Sequence, residues 1–438
     1  MSSEEMISDR NVNRKKSSGP LDVEIITDEN GFNTIANEWR SLVESANVYI
    51  FQTYEWQRTW WKIFGSNNVL HIILLRDQER LVGILPMFVD FYRVWGKSIY
   101  RSLRMMGSRI IQPQGDSVPL ELAFSDYLTR IAHPQYETEV DMAFQRYLGK
   151  HAHQFDEILF EEIPEDNAIF TSLLPLFDQK EWQYEIVDAS VCPKIELPST
   201  MNELLGDLSS NARYQIRRDI RRGTNGKIFE RRRAQSEKEV EDAFQILVHF
   251  HQQRWHNLGQ PGIFTDARLL RFYREITFLF HKRGWLAFDS LFADDQCVAI
   301  DLLFKFKKTL YMMQRGFDDA SPYNQYGPGN VLLYTVIKEA IDEGLLVYDF
   351  LRGEENYKLR TANKFQQNKE VVLRTRNQSK VRLGWCRGIR NYAHLKRKLS
   401  NEKYVIRVYF KLHKPGVALG SYVREVYHRG VRKFKKSV

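Results

Sequence analysis

The sequence predicts an α/β (α+β) fold of two consecutive domains, with mixed sheets flanked by helices and a basic C-terminal extension. Three observations predict it. Segments of two-residue apolar alternation are interspersed with segments of helical spacing, so strands and helices mix along the chain. Their order is similar in both halves: a strand, helices, a strand pair, a helix, a strand. A chain of 438 residues, 43% hydrophobic and 13% aromatic, is long for one domain and can fill the cores of two.

The leader, 1–21, has no apolar core and is expected to be solvated and disordered. The first domain, 22–190, starts on the alternating "LDVEIITD". "GFNTIANEWRSLVESAN" then places Phe32, Ile35, Trp39 and Leu42 on one helical face. "FQTYEWQRTWWKIFG" is a helix with Thr53 as N-cap and Gly65 as its stop. "VLHIILLRD" and "RLVGILPMFVDFYRV" are two strands joined by a short polar turn. "EVDMAFQRYLGKHAHQ" is helical and "FDEILFEEIP" is a strand.

The second domain, 191–376, opens on the short strand "PKIELP". "TMNELLGDLSSNARYQIRRDIRRG" is one long helix, or two broken near Ser209. "KIFERRRA" is a strand. "SEKEVEDAFQILVHFHQQRWHNLG" is a helix with Ser236 as N-cap and Glu239 three residues later, a capping box. A further helix ends on Gly284. Three strands follow: "WLAFDSLFAD", "QCVAIDLLFKFKK" and "TLYMMQRGFDD". A helix entered through Gly-Pro-Gly, the strand "LVYDFLRG" and a last strand, "KEVVLRTR", complete the domain. No residue-level repeat accompanies the repeated order, and one large mixed sheet with inserted helices is the alternative architecture.

Composition excludes several classes. Cys192, Cys297 and Cys386 are odd in number and lack metal-like spacing, which suits a reducing compartment. No stretch reaches the about 18 apolar residues needed to cross a bilayer. No G-x-S-x-G, P-loop or G-x-G-x-x-G is present. The net charge of +9 is unevenly placed: residues 377–438 hold 17 Lys+Arg and 2 Asp+Glu, so the rest carries a formal −6. An anionic partner is expected for the extension only.

Four stretches carry candidate chemistry. In "YGPGNVLLYTVIKEAI", Gly327 and Gly329 let an anion approach the free backbone N–H groups of a helix start, and Pro328 stiffens the turn. An ordinary Pro-Gly turn feeding a core helix is the alternative. In "YDFLRGEENYKLRT", Asp349, Arg352, Tyr357 and Lys358 follow a strand end, where α/β sheets commonly hold ligands. Lys358 could hold a phosphate or neutralise a tetrahedral intermediate, and Asp349 could accept a proton. A surface ion pair is the alternative. In "NARYQIRRDIRR", Arg213, Arg217 and Arg221 repel one another on one helical face, an arrangement reasonable where phosphates face it; a solvated face is the alternative. In "HFHQQRWHNLGQPGIF", His249, His251 and His256 lack a metal-site partner, so no metal is expected. His251 and Arg254 are read as pocket residues, and Trp255 and Phe264 as packing.

Three of these strings resemble a known family. "FQTYEWQRTWWKIFG…RLVGILPMF", "HFHQQRWHNLGQPGIF" with "CVAIDLLFKF…YMMQRGFD", and "GPGNVLLYTVIKEAIDEGLLVYDFLRGEENYK" resemble, in order over roughly 22–376, the CelD/BcsL-type acyltransferases of the GNAT superfamily. That group is similar to the FemABX peptidyltransferases, which carry two GNAT-like domains in tandem. The resemblance implies tandem GNAT-like (acyl-CoA N-acyltransferase) domains with the donor site in the second. It implies that Tyr326, Gly327, Gly329 and Asn330 cradle the donor's pyrophosphate, that Arg213 and Arg217 face substrate phosphates, and that Lys358 lies in the active site. The donor loop lacks the multi-Gly, Arg-led pattern of simple acetyltransferases. The co-substrate is therefore an acetyl- or longer acyl-CoA, an acyl carrier protein or an aminoacyl-tRNA.

These readings lead to an acyltransferase moving an acyl group from a thioester to an amine or hydroxyl of a sugar, polysaccharide or cell-envelope precursor. The alternatives are an aminoacyl-tRNA-dependent Fem-like ligase, the one reading that involves nucleic acid, and a non-catalytic module of a polysaccharide-synthesis complex. The expected location is cytoplasmic. Aromatics such as Trp385, Tyr392 and Tyr409 interleave the extension's charge, so 377–438 is read as attaching to the anionic inner face of the cell membrane. Docking an acidic carrier protein, binding RNA, or capping the acidic body are the other readings of it.

Overall fold

The computed structural model describes residues 19–94, 97–108, 125–206, 208–225, 228–257, 262–353 and 355–377. The leader up to residue 18 and the extension after Asn377, with what is expected of them, lie outside the described residues.

The first half runs β1 (Asp22–Ile26), α1 (Glu29–Thr34), α2 (Ala36–Ser45), α3 (Tyr54–Phe64), β2 (Val69–Asp77), β3 (Arg80–Val94), β4 (Lys97–Met105), the short β5 (Ile131–Ala132), α4 (Glu137–His151), β6 (Glu157–Pro164) and β7 (Trp182–Glu196). The second runs α5 (Met201–Gly206), α6 (Ser210–Thr224), β8 (Glu230–Arg233), α7 (Glu237–Asn257), α8 (Ala267–Lys282), β9 (Leu286–Ala293), β10 (Gln296–Phe306), β11 (Thr309–Phe317), α9 (Pro328–Asp342), β12 (Val347–Asp349), α10 (Asn356–Thr361) and β13 (Lys364–Thr375).

Local chemistry sets many of these boundaries. Thr53 caps α3 by accepting from the Trp56 amide, and Gly65 is its C-cap. Ser209 breaks the long helical stretch: its hydroxyl accepts from Ala212, so α6 restarts after α5. Ser236 and Glu239 exchange side-chain and backbone bonds at 2.9 and 3.3 Å. The single helix expected over 31–47 is two, α1 and α2, meeting at Ile35. The last strand starts five residues earlier than the pattern suggests, because β13 pairs with β7 from Lys364 onward, over Trp182–Lys194.

The strands form one sheet in the order β1-β2-β3-β4-β6-β13-β7-β12-β11-β10-β9-β8. Neighbours are antiparallel except at two places, β4 with β6 and β11 with β12. Each parallel pair is bridged by one main helix, α4 or α9, as a parallel connection requires. The last strand of each half is exchanged. β7 leaves β6 to pair with β12, and β13 leaves β12 to pair with β6; the two lie side at side in the centre. The expected boundary at 190/191 falls inside β7.

Burial follows this symmetry. On one sheet face, α1–α3 and α7–α8 share a single apolar core with strands of both halves. Trp56 of α3 meets Phe272 and Phe280 of α8 edge-on and stacked, with centroids 5.0 and 6.2 Å apart. Such pairs contribute about 0.5–1.5 kcal/mol beyond burial. The other face has two cores, one beneath α4 and one beneath α9.

Candidate active site at the diverging strands

β11 and β12 are paired only over Thr309–Tyr311 and Val347–Asp349. Beyond Tyr311, β11 continues to Phe317 against β10, whereas β12 stops at Asp349. The strands diverge there, and the β12-side backbone of Met312–Phe317 borders a wedge. An unpaired strand edge offers N–H and C=O groups to an extended ligand.

The chain leaves β11 through a 3₁₀ turn, Pro322–Tyr326, and enters α9 at Gly327. Gly327 has φ of +65°, a left-handed geometry that an L side chain adopts only at a cost of about 1–2 kcal/mol. Nothing lies within 4 Å of where its Cβ would be. Gly329 is bare for another reason: a Cβ there would lie 2.5 Å from the Phe317 ring. Asn330 and Val331 donate to the Gly327 carbonyl at 3.0 and 3.1 Å, and Pro328 has no N–H. Gly329 is therefore the first-turn amide not used in this way. Arg222 of α6 braces the turn, donating to the Tyr326 carbonyl at 3.3 Å with its guanidinium 5.2 Å above the Tyr326 ring.

Gly329, Arg254 and Arg315 meet around Phe317. Arg254 lies 5.5 Å above its ring and Arg315 lies 5.9 Å from it. Arg315 is also 5.5 Å from the Tyr357 ring. Arg315 forms a buried fork with Asp301, directly opposite on β10, at 2.6 Å from Nε. Burial raises the Asp301 carboxyl, against the lowering effect of Arg315. Burial also pushes the Tyr357 phenol up, so it stays protonated.

Asp349 is buried and faces the first half. Its carboxylate accepts the Tyr127 hydroxyl at 2.9 Å and the Leu351 amide at 2.8 Å, and Lys194 lies 3.6 Å away. Lys194 sits 4.4 Å above the Tyr127 ring. Burial raises the Asp349 carboxyl, with Lys194 opposing it. Leu351 has φ of +55°, a strained geometry for a non-glycine residue, at the exit from β12. Arg352 donates to Asp126 and to the Ser125 carbonyl, both at 2.8 Å. The Asp126 carboxyl is pushed up to about 6 by burial, against the nearby Arg352.

Lys358 is 5% exposed and holds its own loop, donating to the Arg352 carbonyl at 2.9 Å and pairing with Glu355 at 3.1 Å. Arg213 donates to Gly206 and Ser210, and Arg217 to Asn202, so both tie α6 to α5. The arginine of this helix that reaches the turn is Arg222. His251 is buried; its Nε2 accepts from the Trp255 indole at 2.9 Å, while Nδ1 has no partner among the described residues. Burial, with Arg254 nearby, pushes it down to about 4, so it is neutral. Among the described residues no group of three or more His, Cys, Asp or Glu is placed to hold a metal ion.

The structure thus brings Gly329 and Arg254 around Phe317, Tyr357 against the neighbouring Arg315, and Asp349, Arg352 and Lys358 to the end of β12. It adds residues that sequence reasoning missed. Asp301 and Arg315 had a signal: charges in the middle of largely apolar strands, which a buried pair explains. Asp126, Tyr127 and Lys194 had none, because their roles come from contacts more than 150 residues away along the chain.

The fold has known counterparts. An acetyltransferase (GNAT) domain model matches residues 210–359. The chain resembles the crystal structure of FemX with a TM-score of 0.54 at 11% identity, covering 80% of this chain and 96% of that one. It also resembles the C-terminal domain of a putative lysylphosphatidylglycerol synthetase from Agrobacterium fabrum, at 10% identity and TM-score 0.46, over 81% and 95% of the two chains. A tandem GNAT protein from the clavulanic acid biosynthesis pathway matches at 9% identity and TM-score 0.36, over 82% and 100%. The FemX likeness bears on fold alone. No curated protein matches the sequence. The chain has a mixed α/β fold with GNAT-like architecture, and the GNAT match falls on the half that holds the diverging strands.

Proposed function

We propose that this chain is an acyltransferase that moves an acyl group from a CoA or carrier-protein thioester to an amine or hydroxyl of a sugar or cell-envelope precursor, as in the cellulose-linked group its sequence resembles. The observation that carries this reading is the wedge between β11 and β12, with the open Gly327 turn at its mouth, inside the segment that matches a GNAT acetyltransferase domain. The β11 edge would hold an extended thioester arm by backbone bonds. Gly327, Gly329 and the start of α9 would receive the donor's phosphates, beside Tyr326 and Asn330. A β11 amide would stabilise the oxyanion as the acceptor attacks the carbonyl and the C–S bond breaks. Asp349 remains the proposed proton acceptor. Lys358 is proposed to hold the Arg352 carbonyl and thereby the loop bordering the wedge; Arg213, Arg217, His251 and Arg352 are the proposed acceptor-side groups.

The test is native mass spectrometry of the full chain with a panel of acyl thioesters, followed by thiol-release assays with candidate acceptors. Binding of at least one thioester, reduced in Gly327→Val, is the expected result. Binding of none, or equal binding by the variant, would remove the proposal. The rival aminoacyl-tRNA reading draws on the arginine-rich α6, and activity that RNase abolishes would select it. Among the described residues no helix is long and apolar enough to cross a membrane. Peripheral attachment through 377–438 is proposed from charge alone, and flotation of the full chain with anionic liposomes would check it.

A further inference from the structure

A cavity of about 260 Å³ lies away from the diverging strands, between α2 and α3 of the first half and the β10–β11 turn of the second. Glu55, in the first turn of α3, is 95% buried there, its relative exposure being 5%. Its Oε1 accepts from Arg40 at 2.8 Å and lies 3.7 Å from Arg283. Its Oε2 is buried and has no hydrogen-bond partner among the described residues. A carboxylate oxygen left so is costly, by about 1–3 kcal/mol or more for a charged group. An incoming N–H donor would relieve that cost.

The rest of the lining asks for the opposite charge as well. Arg40, Arg283 and Lys307 face two carboxylates, Glu44 and Glu55, so the walls carry a net positive charge. Lys307 stands at the hairpin turn with φ of +52° and donates to the Ala46 carbonyl. Burial lowers its ammonium pKa, and an anion beside it would offset that effect. Trp285 and Phe306 supply an apolar wall, and Arg283 lies 4.9 Å above the Trp285 ring. The volume is just below the about 300 Å³ at which drug-sized sites begin.

We propose that this cavity binds a small zwitterion of amino-acid type. Its ammonium donates to Glu55 Oε2, its carboxylate sits between Arg283 and Lys307, and its apolar side chain lies on Trp285 and Phe306. The site is independent of the acyltransfer reading, since none of its residues borders the wedge. Bridging α3 and the β10–β11 turn, the ligand clips the two halves together.

The experiment is calorimetric titration of the full chain with L-phenylalanine, L-leucine and glycine, and with phenethylamine and 3-phenylpropionate as half-ligands. L-phenylalanine or L-leucine is expected to bind at least about tenfold tighter than either half-ligand, the worth of one charge-assisted bond. Glu55→Gln and Arg283→Ala are each expected to weaken that binding by about tenfold. Arg283 lies at the exposed rim, so its variant keeps the test valid if Glu55→Gln does not fold. Absence of binding by all three amino acids overturns the site. Half-ligands binding equally well, or Arg283→Ala binding unchanged, overturns the zwitterion assignment.

Discussion

In the first half, β4 and β6 run parallel through Ser102–Arg104 and Glu157–Leu159, and Arg104 is enclosed between Asp90 of β3, at 2.8 Å, and Glu161 of β6. In the second half the corresponding hairpin carries Arg315, which has the single carboxylate of Asp301. Where Glu161 closes the first pair, β12 has already ended, and the Tyr357 and Phe317 rings flank Arg315 instead. Asp349, the last residue of β12, turns to Tyr127 and Lys194. The difference teaches that this topology does not by itself make a site. In the first half a carboxylate from the parallel strand joins Arg104 and Asp90 in a buried ion cluster, and in the second the short β12 leaves the β11 edge unpaired beyond Tyr311. The GNAT match covers only the half with the available wedge.

The largest effect tests this buried cluster. Arg104→Leu removes the cation that pairs with both Asp90 and Glu161 and is expected to cost about 3–5 kcal/mol in urea denaturation. A cost below about 1 kcal/mol would mean that the cluster does not hold that half together.

Next comes the junction of the halves. The Asp126 carboxyl is raised from 3.8 to about 6, so the native state holds its proton more tightly than the unfolded chain. The associated stability is full below about pH 4 and lost as pH rises through 6, with a magnitude of order 2–3 kcal/mol. Stability measured at pH 4.5 and 6.5 should fall less steeply in Asp126→Asn than in the parent chain. Identical slopes would disprove the assignment.

Gly329→Ala sharpens the comparison at the wedge itself. Its methyl group would meet the Phe317 ring at 2.5 Å, and overpacking of this kind costs about 1–3 kcal/mol. Thermal denaturation gives the cost, and thioester binding per folded molecule should fall with it. Binding that persists while stability drops would separate Phe317 packing from donor recognition.

The smallest effect concerns an exposed tie between the halves, Lys62 of α3 to Glu275 of α8 at 2.8 Å. Lys62→Ala should change stability by less than about 1 kcal/mol, since water screens such pairs. A larger loss in a double-mutant cycle with Glu275→Ala would show that the halves depend on surface charge as well as on their shared core.

Much of the fold was legible because its signals are local. The caps at Thr53, Ser209 and Ser236 act over three residues, and the near-continuous apolar runs of β2 and β10 report strands buried on both faces. The Gly327 turn was legible too, although Gly329 turned out to serve Phe317. β4 and most of β7 were not read, because β7 is exposed along much of its length and its pattern is weak. The site was legible in part: the strand end at Asp349 was named, but its partners were not. Lys358 was read as facing substrate, whereas its short-range bonds are to Arg352 and Glu355.

By itself the sequence determined most of the elements, the helix caps, the glycine turn into α9 and the segregation of positive charge into the extension. These follow from side-chain spacing and backbone sterics, which act within a few residues. The tertiary structure alone decided the exchange of β7 and β13, the burial of Arg104 against Glu161, and the joining of Tyr127 to Asp349 across 222 residues. Those depend on strand register and on which charges share a dry interior. Register depends on contacts between distant segments, and a local stretch of chain carries no record of them.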